Sequence, residues 1–197
     1  TIEYIISRGN SIEYEELMKL LRLMENRSKS LDKMINDIFL LSRIDSESLN
    51  SDKKNINVKM LLEEYYYMLI ADNKFNSREM ILNIADEYNV EIYADINQMI
   101  RILDNLVSNS YKYTSDNDLI EIGAIELKES KHTIIYVKDS GIGIPKDKTE
   151  KIFERSYIIS KARTPDGKNS HGIGLAIVLG LVKTNNGSVW CDSILGE

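Results

Sequence analysis

One long helical pattern near the start of the chain limits the possible folds more than any other feature. From Ser11 to Asp45, apolar residues recur every three or four positions. They form a narrow stripe, which is typical of helices that pair along a seam rather than of a helix lying on a broad core. The pattern predicts one helix of a hairpin that pairs with a second hairpin, as half of a dimeric four-helix bundle. The stripe consists of Leu17, Leu21, Met24, Leu31, Ile35 and Ile38.

The hairpin is predicted to occupy residues 1–50. The residues TIEYIIS at the start of the chain have the pattern of the end of an earlier helix, and Ser11 is placed to cap the long one. We therefore expect the chain to begin inside the first helix of the hairpin. The stretch 46–55, SESLNSDKKN, is polar and without a period, which predicts a linker.

A second domain is predicted over 51–197. Short strand patterns alternate with helical patterns, and consecutive strands are paired, which favours an α/β sandwich with a mixed, mostly antiparallel sheet packed on helices. The chain as a whole is therefore predicted to be α+β. The expected strands cover 56–58, 81–85, 91–93, 119–127, 133–139 and 188–192, and the expected helices cover 60–72, 95–110, 148–155 and 172–184.

Composition removes several classes of function. The formal net charge is -6, which argues against a nucleic-acid-binding protein with a basic face. Cys191 is the only cysteine, so an internal disulfide and a thiolate zinc site are excluded, and a reducing compartment fits. The two histidines, His132 and His171, leave little for imidazole catalysis. No apolar run is long enough to cross a bilayer.

Two asparagines share one side of the helix predicted over 95–110. Asn105 and Asn109 are four residues apart, and Lys112 and Tyr113 follow on the next turn. Asparagine is a poor helix former, and an exposed pair is the ordinary explanation. An amide oxygen can also bind Mg²⁺ without adding charge, and a lysine can meet a phosphate.

The turn KDSGIGIPKD, residues 138 to 147, places a carboxylate just before two glycines. Asp139 could be a solvated residue of an ordinary tight turn. It could also accept a hydrogen bond from the exocyclic amine of a purine, while Gly141 and Gly143 let the backbone approach the ring.

A second pair of glycines, Gly172 and Gly174, opens an apolar helix in SHGIGLAIVLGLV. Backbone N–H groups at a helix start can bind a phosphate, although a glycine-softened helix start is common without any ligand. The preceding loop carries Lys161, Arg163 and Lys168, which could close over a polyphosphate or be an ordinary solvated segment.

In this order, the asparagine helix, the DSGIG turn, the segment IFERSY and the second glycine pair resemble the catalytic and ATP-binding domain of sensor histidine kinases of two-component systems. That domain belongs to a superfamily of ATPases that includes gyrase, a heat-shock chaperone and a mismatch-repair protein. The segment INDIFLLSRID resembles the end of the second helix of the kinases' dimerisation hairpin. The resemblance covers nearly the whole chain.

The resemblance implies a site for ATP and Mg²⁺. Asn109 would be the Mg²⁺ ligand, with Asn105 and Lys112 near the phosphates, and Tyr113 would pack along the nucleotide. Asp139 would read the adenine. The remaining implied nucleotide-binding residues are Gly141, Gly143, Ile144, Phe153, Lys161, Arg163, Gly172, Gly174 and Leu175.

The sequence departs from the family pattern in the predicted lid. Ser156 and Ile158 stand where the family has a second aromatic residue and a basic one, and Ser170 and His171 alter the start of the second glycine motif. No histidine followed by an acidic residue matches the phosphoacceptor of the hairpin. We therefore expect a piece of a longer kinase that lacks its phosphoacceptor and the last strand of the domain.

The implied function is an ATP:protein-histidine phosphotransferase. It would pair with a second copy through the hairpin, pass its phosphoryl group to the receiver domain of a response regulator, and bind no nucleic acid. This part would be cytoplasmic, in a full-length protein anchored at the membrane. The alternative is a degenerate kinase that acts as a nucleotide-binding dimerisation switch. A third possibility, an ATPase or serine kinase of the wider superfamily, is disfavoured by the hairpin.

Overall fold

The computed structural model describes residues 2–8, 12–129, 132–159 and 172–195. Helix α1 spans Ile2–Arg8 and helix α2 spans Tyr14–Asp45. The predicted cap Ser11 lies outside the described residues. Glu13 occupies the N-cap position of α2, and its side chain makes no capping hydrogen bond with the described part of the chain.

The predicted apolar stripe of α2 is exposed along most of its length. Leu31 is 59% exposed, and Ile35 and Ile38 are 51% and 48% exposed. Only near its C-terminal end does α2 bury side chains, at Asp37 and Leu41, where Leu41 joins a hydrophobic cluster of residues that come later in the chain. The described residues therefore leave the seam uncovered.

The second part of the chain alternates strands and helices, as its pattern predicts. The 3-10 turns cover Asn73–Phe75, Lys146–Lys148 and Lys151–Phe153. The strands are β1 (Lys53–Asn57), β2 (Glu79–Asn83), β3 (Glu91–Asp95), β4 (Leu119–Leu127) and β5 (His132–Asp139). The helices are α3 (Val58–Ala71), α4 (Ile96–Tyr113) and α5 (Gly174–Thr184).

The strands form a mixed and mostly antiparallel arrangement, which confirms the predicted α+β class. β1 pairs with β3 and β4 pairs with β5 in antiparallel ladders, whereas β2 and β4 are parallel. Among the described residues these ladders form two separate sheets, of order β1-β3 and β2-β4-β5. The sequence predicts a single sheet. The structure differs because β1 and β3 pair only with each other and not with β2, β4 or β5.

Three predicted segments are wrong in detail. The predicted linker is too long, because its polar end 53–55 is the exposed start of β1. The helix expected over 148–155 is replaced by short 3-10 turns, since so short a segment gains little from helix propagation. The strand expected over 188–192 joins no ladder of the described chain. Alternating side chains show which residues face inward, but a strand also needs a neighbour with free backbone groups.

Helix α4 is the central element of the second part. Its N-cap Asp95 is buried and accepts hydrogen bonds from the backbone N–H groups of Asn97 and Gln98 at 2.9 and 3.2 Å. The described core consists of two clusters of buried hydrophobic residues. Helix α4 contributes to both, with Met99 and Ile102 in one and Leu103 and Val107 in the other. This packing fixes the helix that carries both candidate asparagines. No helix in the described ranges combines the length and apolar content needed to span a bilayer.

Candidate nucleotide-binding site

A cavity of about 660 Å³ lies between α4, the end of β5, the turn that follows it, the start of α5 and the segment 191–195. This volume is in the range of small-molecule binding sites. Its walls combine many apolar side chains with few polar groups, as such sites usually do. The apolar lining residues include Val137, Ile142, Ile144, Ile152, Ile158 and Leu175.

The polar side chain best fixed in this cavity is Asp139. Its Oδ2 accepts a hydrogen bond from Ser110 Oγ at 2.7 Å, and its Oδ1 accepts one from the backbone N–H of Gly141 at 3.0 Å. Ser110 is buried on α4. The carboxylate is therefore held from both sides on the cavity wall, with lone pairs remaining for a ligand.

The glycine turn after Asp139 is held between two neighbours. Ile142 N donates to Tyr113 O at 3.3 Å, and Ile144 N donates to Ser193 Oγ at 2.8 Å. Gly143 has a φ of +69°, and a Cβ there would lie 2.1 Å from Ile194 O. Only glycine fits both the left-handed backbone and this close approach. Gly143 therefore lines the cavity, whereas Gly141, also predicted to lie beneath the base, is not among the described lining residues.

The opposite rim is formed by the start of α5. Gly172 has a φ of +66°, and its carbonyl accepts a hydrogen bond from Ser156 N at 3.0 Å. Ser156 itself has a φ of +57°, which is unusual for a residue other than glycine. The N-cap Ile173 makes no side-chain capping hydrogen bond within the described chain. The first N–H groups of α5 therefore receive no cap from the side chain of Ile173, and such groups can bind a phosphate.

The two candidate asparagines occupy different places. Asn109 lines the cavity. Asn105 is buried, donates from Nδ2 to Arg101 O at 2.8 Å, and is not among the described residues that line the cavity. A Cβ on Gly174 would lie 2.8 Å from Asn105 Oδ1. The side chain of Asn105 therefore packs closely against Gly174 at the start of α5.

Lys112 and Tyr113 also separate. Tyr113 lines the cavity. Lys112 is half-buried and is not among the described residues that line the cavity. Lys112 Nζ lies 5.2 Å from the centroid of the Tyr113 ring. Burial lowers the pKa of Lys112.

Of the remaining predicted residues, Phe153 ends a 3-10 turn and does not line the described cavity, although its neighbour Ile152 does. Lys161, Arg163 and the altered pair 170–171 lie outside the described residues. The structure brings together around one cavity the predicted residues Asn109, Tyr113, Asp139, Gly143, Ile144, Gly172, Gly174 and Leu175.

Several lining residues are not predicted by the sequence pattern. Ser110 interrupts the buried face of α4 between Val107 and Thr114, so a hydroxyl at core spacing is a signal that could have identified it. Cys191 was noted only as a lone thiol. Burial, and then the charges of Asp192 and Asp139, raises the pKa of that thiol. The other missed lining residues are Val137, Lys138, Ile142, Pro145, Ile152, Tyr157, Ile158, Ile159, Asp192, Ser193 and Leu195.

The cavity offers few groups for a metal ion. In the part of the chain that the structure describes, no three histidine, cysteine or acidic side chains cluster as metal ligands. A hard cation beside Asn109 would therefore take most of its oxygen ligands from the phosphates of a bound nucleotide and from water, which suits Mg²⁺. The available residues fit such a ligand-assisted site.

An apolar cleft with one fixed acceptor at one wall and the start of a helix at another suits a nucleotide. The chain belongs to the histidine kinase-, DNA gyrase B-, and HSP90-like ATPase family, whose sequence model matches residues 94–197. The nucleotide of this class is ATP, and the predicted family is confirmed.

The relatives are sensor kinases. The sensor histidine kinase WalK of Bacillus subtilis (strain 168) is 32% identical over 185 residues, which cover 91% of this chain and 29% of that protein. The sensor protein kinase WalK of Staphylococcus aureus is 30% identical over 186 residues, covering 93% of this chain and 43% of that protein. The chain thus spans less than half the length of these relatives.

Solved histidine kinases share the fold. Full-length ShkA in complex with AMPPNP matches 96% of this chain and 38% of its own, with a TM-score of 0.75 and 22% identity. Histidine kinase ThkA in complex with the response regulator protein TrrA matches 95% of this chain and 51% of its own, with a TM-score of 0.71 and 20% identity. Both matches include the long helix α2 as well as the sandwich.

Proposed function

We propose that this chain is the kinase core of a two-component sensor histidine kinase. It binds Mg-ATP in the cavity and supplies the γ-phosphoryl group to a histidine of a dimerisation hairpin. The observation that carries the proposal is the arrangement around one cavity of an anchored acceptor, Asp139, an amide, Asn109, and the start of α5.

The adenine binds at the wall formed by Asp139 and the glycine turn. The fixed carboxylate accepts a hydrogen bond from the exocyclic amine, and the lining residues Tyr113 and Ile142 offer apolar surface to the ring. The complex of ShkA with AMPPNP, an ATP analogue, supports this ligand class.

The phosphates extend toward Asn109 and the start of α5. The backbone N–H groups of α5 bind phosphate oxygens, and the amide oxygen of Asn109 is a Mg²⁺ ligand. Bound Mg²⁺ would neutralise charge that develops on the transferred phosphoryl group. Lys112 lies on the turn after Asn109 and remains a predicted phosphate contact. Lys161 and Arg163 remain predicted phosphate contacts.

The partners follow from the exposed seam of α2. Apolar side chains on one face of a long helix, about half exposed at Leu31, Ile35 and Ile38, fit pairing with a second copy in a helical bundle.

The complex of ThkA with TrrA supports a response regulator as the next phosphoryl acceptor. We further propose that the kinase works on the cytoplasmic side of a membrane to which the complete protein is anchored.

The test is an autophosphorylation assay on the protein expressed from its complete coding sequence. It is incubated with radiolabelled ATP and Mg²⁺, and the modified protein is then treated with acid and with base. We expect phosphate that is labile in acid and stable in base, as phosphohistidine is, and its loss in Asn109→Asp. Ser108→Ala, on the same helix but outside the cavity lining, is the matched control.

A protein that binds ATP but never becomes phosphorylated would overturn the kinase proposal in favour of the nucleotide-binding switch. A protein that binds no ATP would overturn both. Isothermal titration with Mg-ATP, made on the same sample, distinguishes these outcomes.

A further inference from the structure

We propose that Ser110 is a positioning residue that selects the nucleobase through Asp139. Its hydroxyl fixes the carboxylate so that the free lone pairs accept the exocyclic amine of a 6-aminopurine. This inference rests on the proposed nucleotide site and adds to it the group that sets base selectivity. The geometry that carries it is the 2.7 Å hydrogen bond from Ser110 Oγ to Asp139 Oδ2 inside the cavity wall.

The position of Ser110 requires an explanation, because a hydroxyl stands where the helix needs none. Ser110 is 5% exposed and lies on the buried face of α4 between Val107 and Thr114. Alanine would fill this position with better helix propensity and no polar group to desolvate. The hydroxyl is satisfied by Asp139, which comes from another element of the fold.

The two hydrogen bonds to Asp139 restrict its carboxylate in different ways. Gly141 N–H donates to Oδ1 from the turn, whereas Ser110 donates to Oδ2 from the rigid helix α4. Together they oppose rotation of the carboxylate plane. The free lone pairs of a carboxylate held in this way are acceptors, so they bind the amine of adenine and repel the carbonyl oxygen that guanine carries at the same ring position.

A merely structural role makes a different prediction. If Ser110 only stabilised the end of α4, its removal would weaken the binding of every purine nucleotide alike. If it acts through Asp139, its removal weakens only the ligands whose exocyclic amine Asp139 reads.

The experiment measures the dissociation constants of Ser110→Ala for Mg-ATP and for the Mg complex of purine riboside triphosphate, which lacks the exocyclic amine. We expect the Kd for ATP to rise about tenfold, the scale of one hydrogen bond to a charged group. The Kd for the analogue should change less than about twofold. Ser108→Ala is the matched control and should leave both constants unchanged.

A double-mutant cycle gives the second measurement. In an Asp139→Asn background, Ser110→Ala should change the Kd for ATP by much less than it does in the parent. Equal weakening of both ligands by Ser110→Ala, or no weakening of either, would overturn the inference while leaving the nucleotide site intact. A parent protein that binds neither ligand would instead overturn the proposed function.

Discussion

Helix α5 contacts two very different neighbours, and the two contacts show how the fold joins the cavity to α2. At its start, a Cβ on Gly174 would lie 2.8 Å from Asn105 Oδ1, beside the cavity. Nearly two turns later, a Cβ on Gly180 would lie 2.9 Å from Ile44 Cγ2, on α2. Each glycine allows a close approach, but only the first belongs to the candidate site.

The cavity side of α5 and its α2 side depend on different kinds of interaction. The cavity side depends on backbone geometry, with left-handed residues at Gly143 and Gly172. The α2 side depends on side chains: Leu41 packs into a core cluster, and Asp37 and Asp45 form ion pairs with Arg101 and Arg155. Other residues rarely adopt the positive φ of these two glycines, whereas neighbouring side chains can adjust to a substitution. Substitutions on the cavity side should therefore lower the free energy of unfolding more than those on the α2 side.

The largest effect is expected for Gly143→Val, on the cavity side. Valine would have to adopt a φ of +69° with its Cβ 2.1 Å from Ile194 O, which the backbone cannot accommodate. We expect a loss of about 2–4 kcal/mol in the free energy of unfolding and at least tenfold weaker ATP binding. Urea denaturation and calorimetric titration measure the two quantities.

Gly187→Ala is the control for Gly143→Val. Its Cβ would lie 3.1 Å from Val182 Cγ1, the end of a side chain that can move, and φ is not positive there. Parent-like stability and ATP affinity in Gly143→Val would contradict the importance assigned to the backbone of the cavity wall.

The next effect is expected for Gly180→Leu, on the α2 side. A leucine side chain would overlap Ile44 and push α2 away, at a cost of about 1–3 kcal/mol that better helix propensity partly offsets. Hydrogen exchange should become faster in the last turns of α2, while ATP affinity should change less than about twofold. This combination would show that the two contacts of α5 are separable.

The double variant Gly180→Leu with Ile44→Ala is the matched test of the contact. Removing the side chain of Ile44 makes room for the leucine, so slow exchange in α2 should return in part. Unchanged exchange in Gly180→Leu alone would mean that α2 does not rest on this part of α5.

The secondary structure and part of the site could be predicted from sequence. The strand over 119–127 is predicted with its observed bounds, because both its flanks carry turn residues and its apolar positions alternate. Asp139 and Gly143 were identified for the same local reason: a carboxylate and glycines after a strand are visible in a few residues.

Contacts between distant parts of the chain could not be predicted. Ser110 and Asp139 are far apart in sequence, and Ser193 meets Ile144 across an even longer separation. Helical periodicity places Asn105 and Asn109 on one side of α4, but only the packing of Gly174 on Asn105 separates their environments. No local pattern contains that information.

A smaller effect is expected for Arg101→Ala, which removes the partner of Asp37. The Asp37 side chain is 10% exposed and the Arg101 side chain 30% exposed, so the ion pair is partly shielded from water. Leaving Asp37 without its cation should cost about 1–2 kcal/mol, between the values for exposed and fully buried pairs. Chemical denaturation gives the value, and Arg101→Lys, which keeps the charge, should lose less. A loss as large as that of Gly143→Val would contradict the ranking of the two sides.

The smallest effect is expected for Arg155→Gln, at the exposed ion pair with Asp45. The hydrogen bond from Arg155, followed by its charge, lowers the pKa of Asp45. A lowered pKa means that the pair contributes above the ordinary aspartate value of about 4 and that the contribution is lost as pH falls through the folded-state pKa. The Arg155 and Asp45 side chains are 57% and 45% exposed, so water weakens their attraction. At neutral pH the free energy of unfolding of the variant should therefore equal that of the parent. The sensitive measurement is an NMR titration of the Asp45 carboxyl carbon, whose pKa should rise toward its ordinary value in Arg155→Gln. An unchanged pKa would mean that this pair does not form in solution, and the α2 side would then depend on Ile44, Leu41 and the Asp37 pair alone.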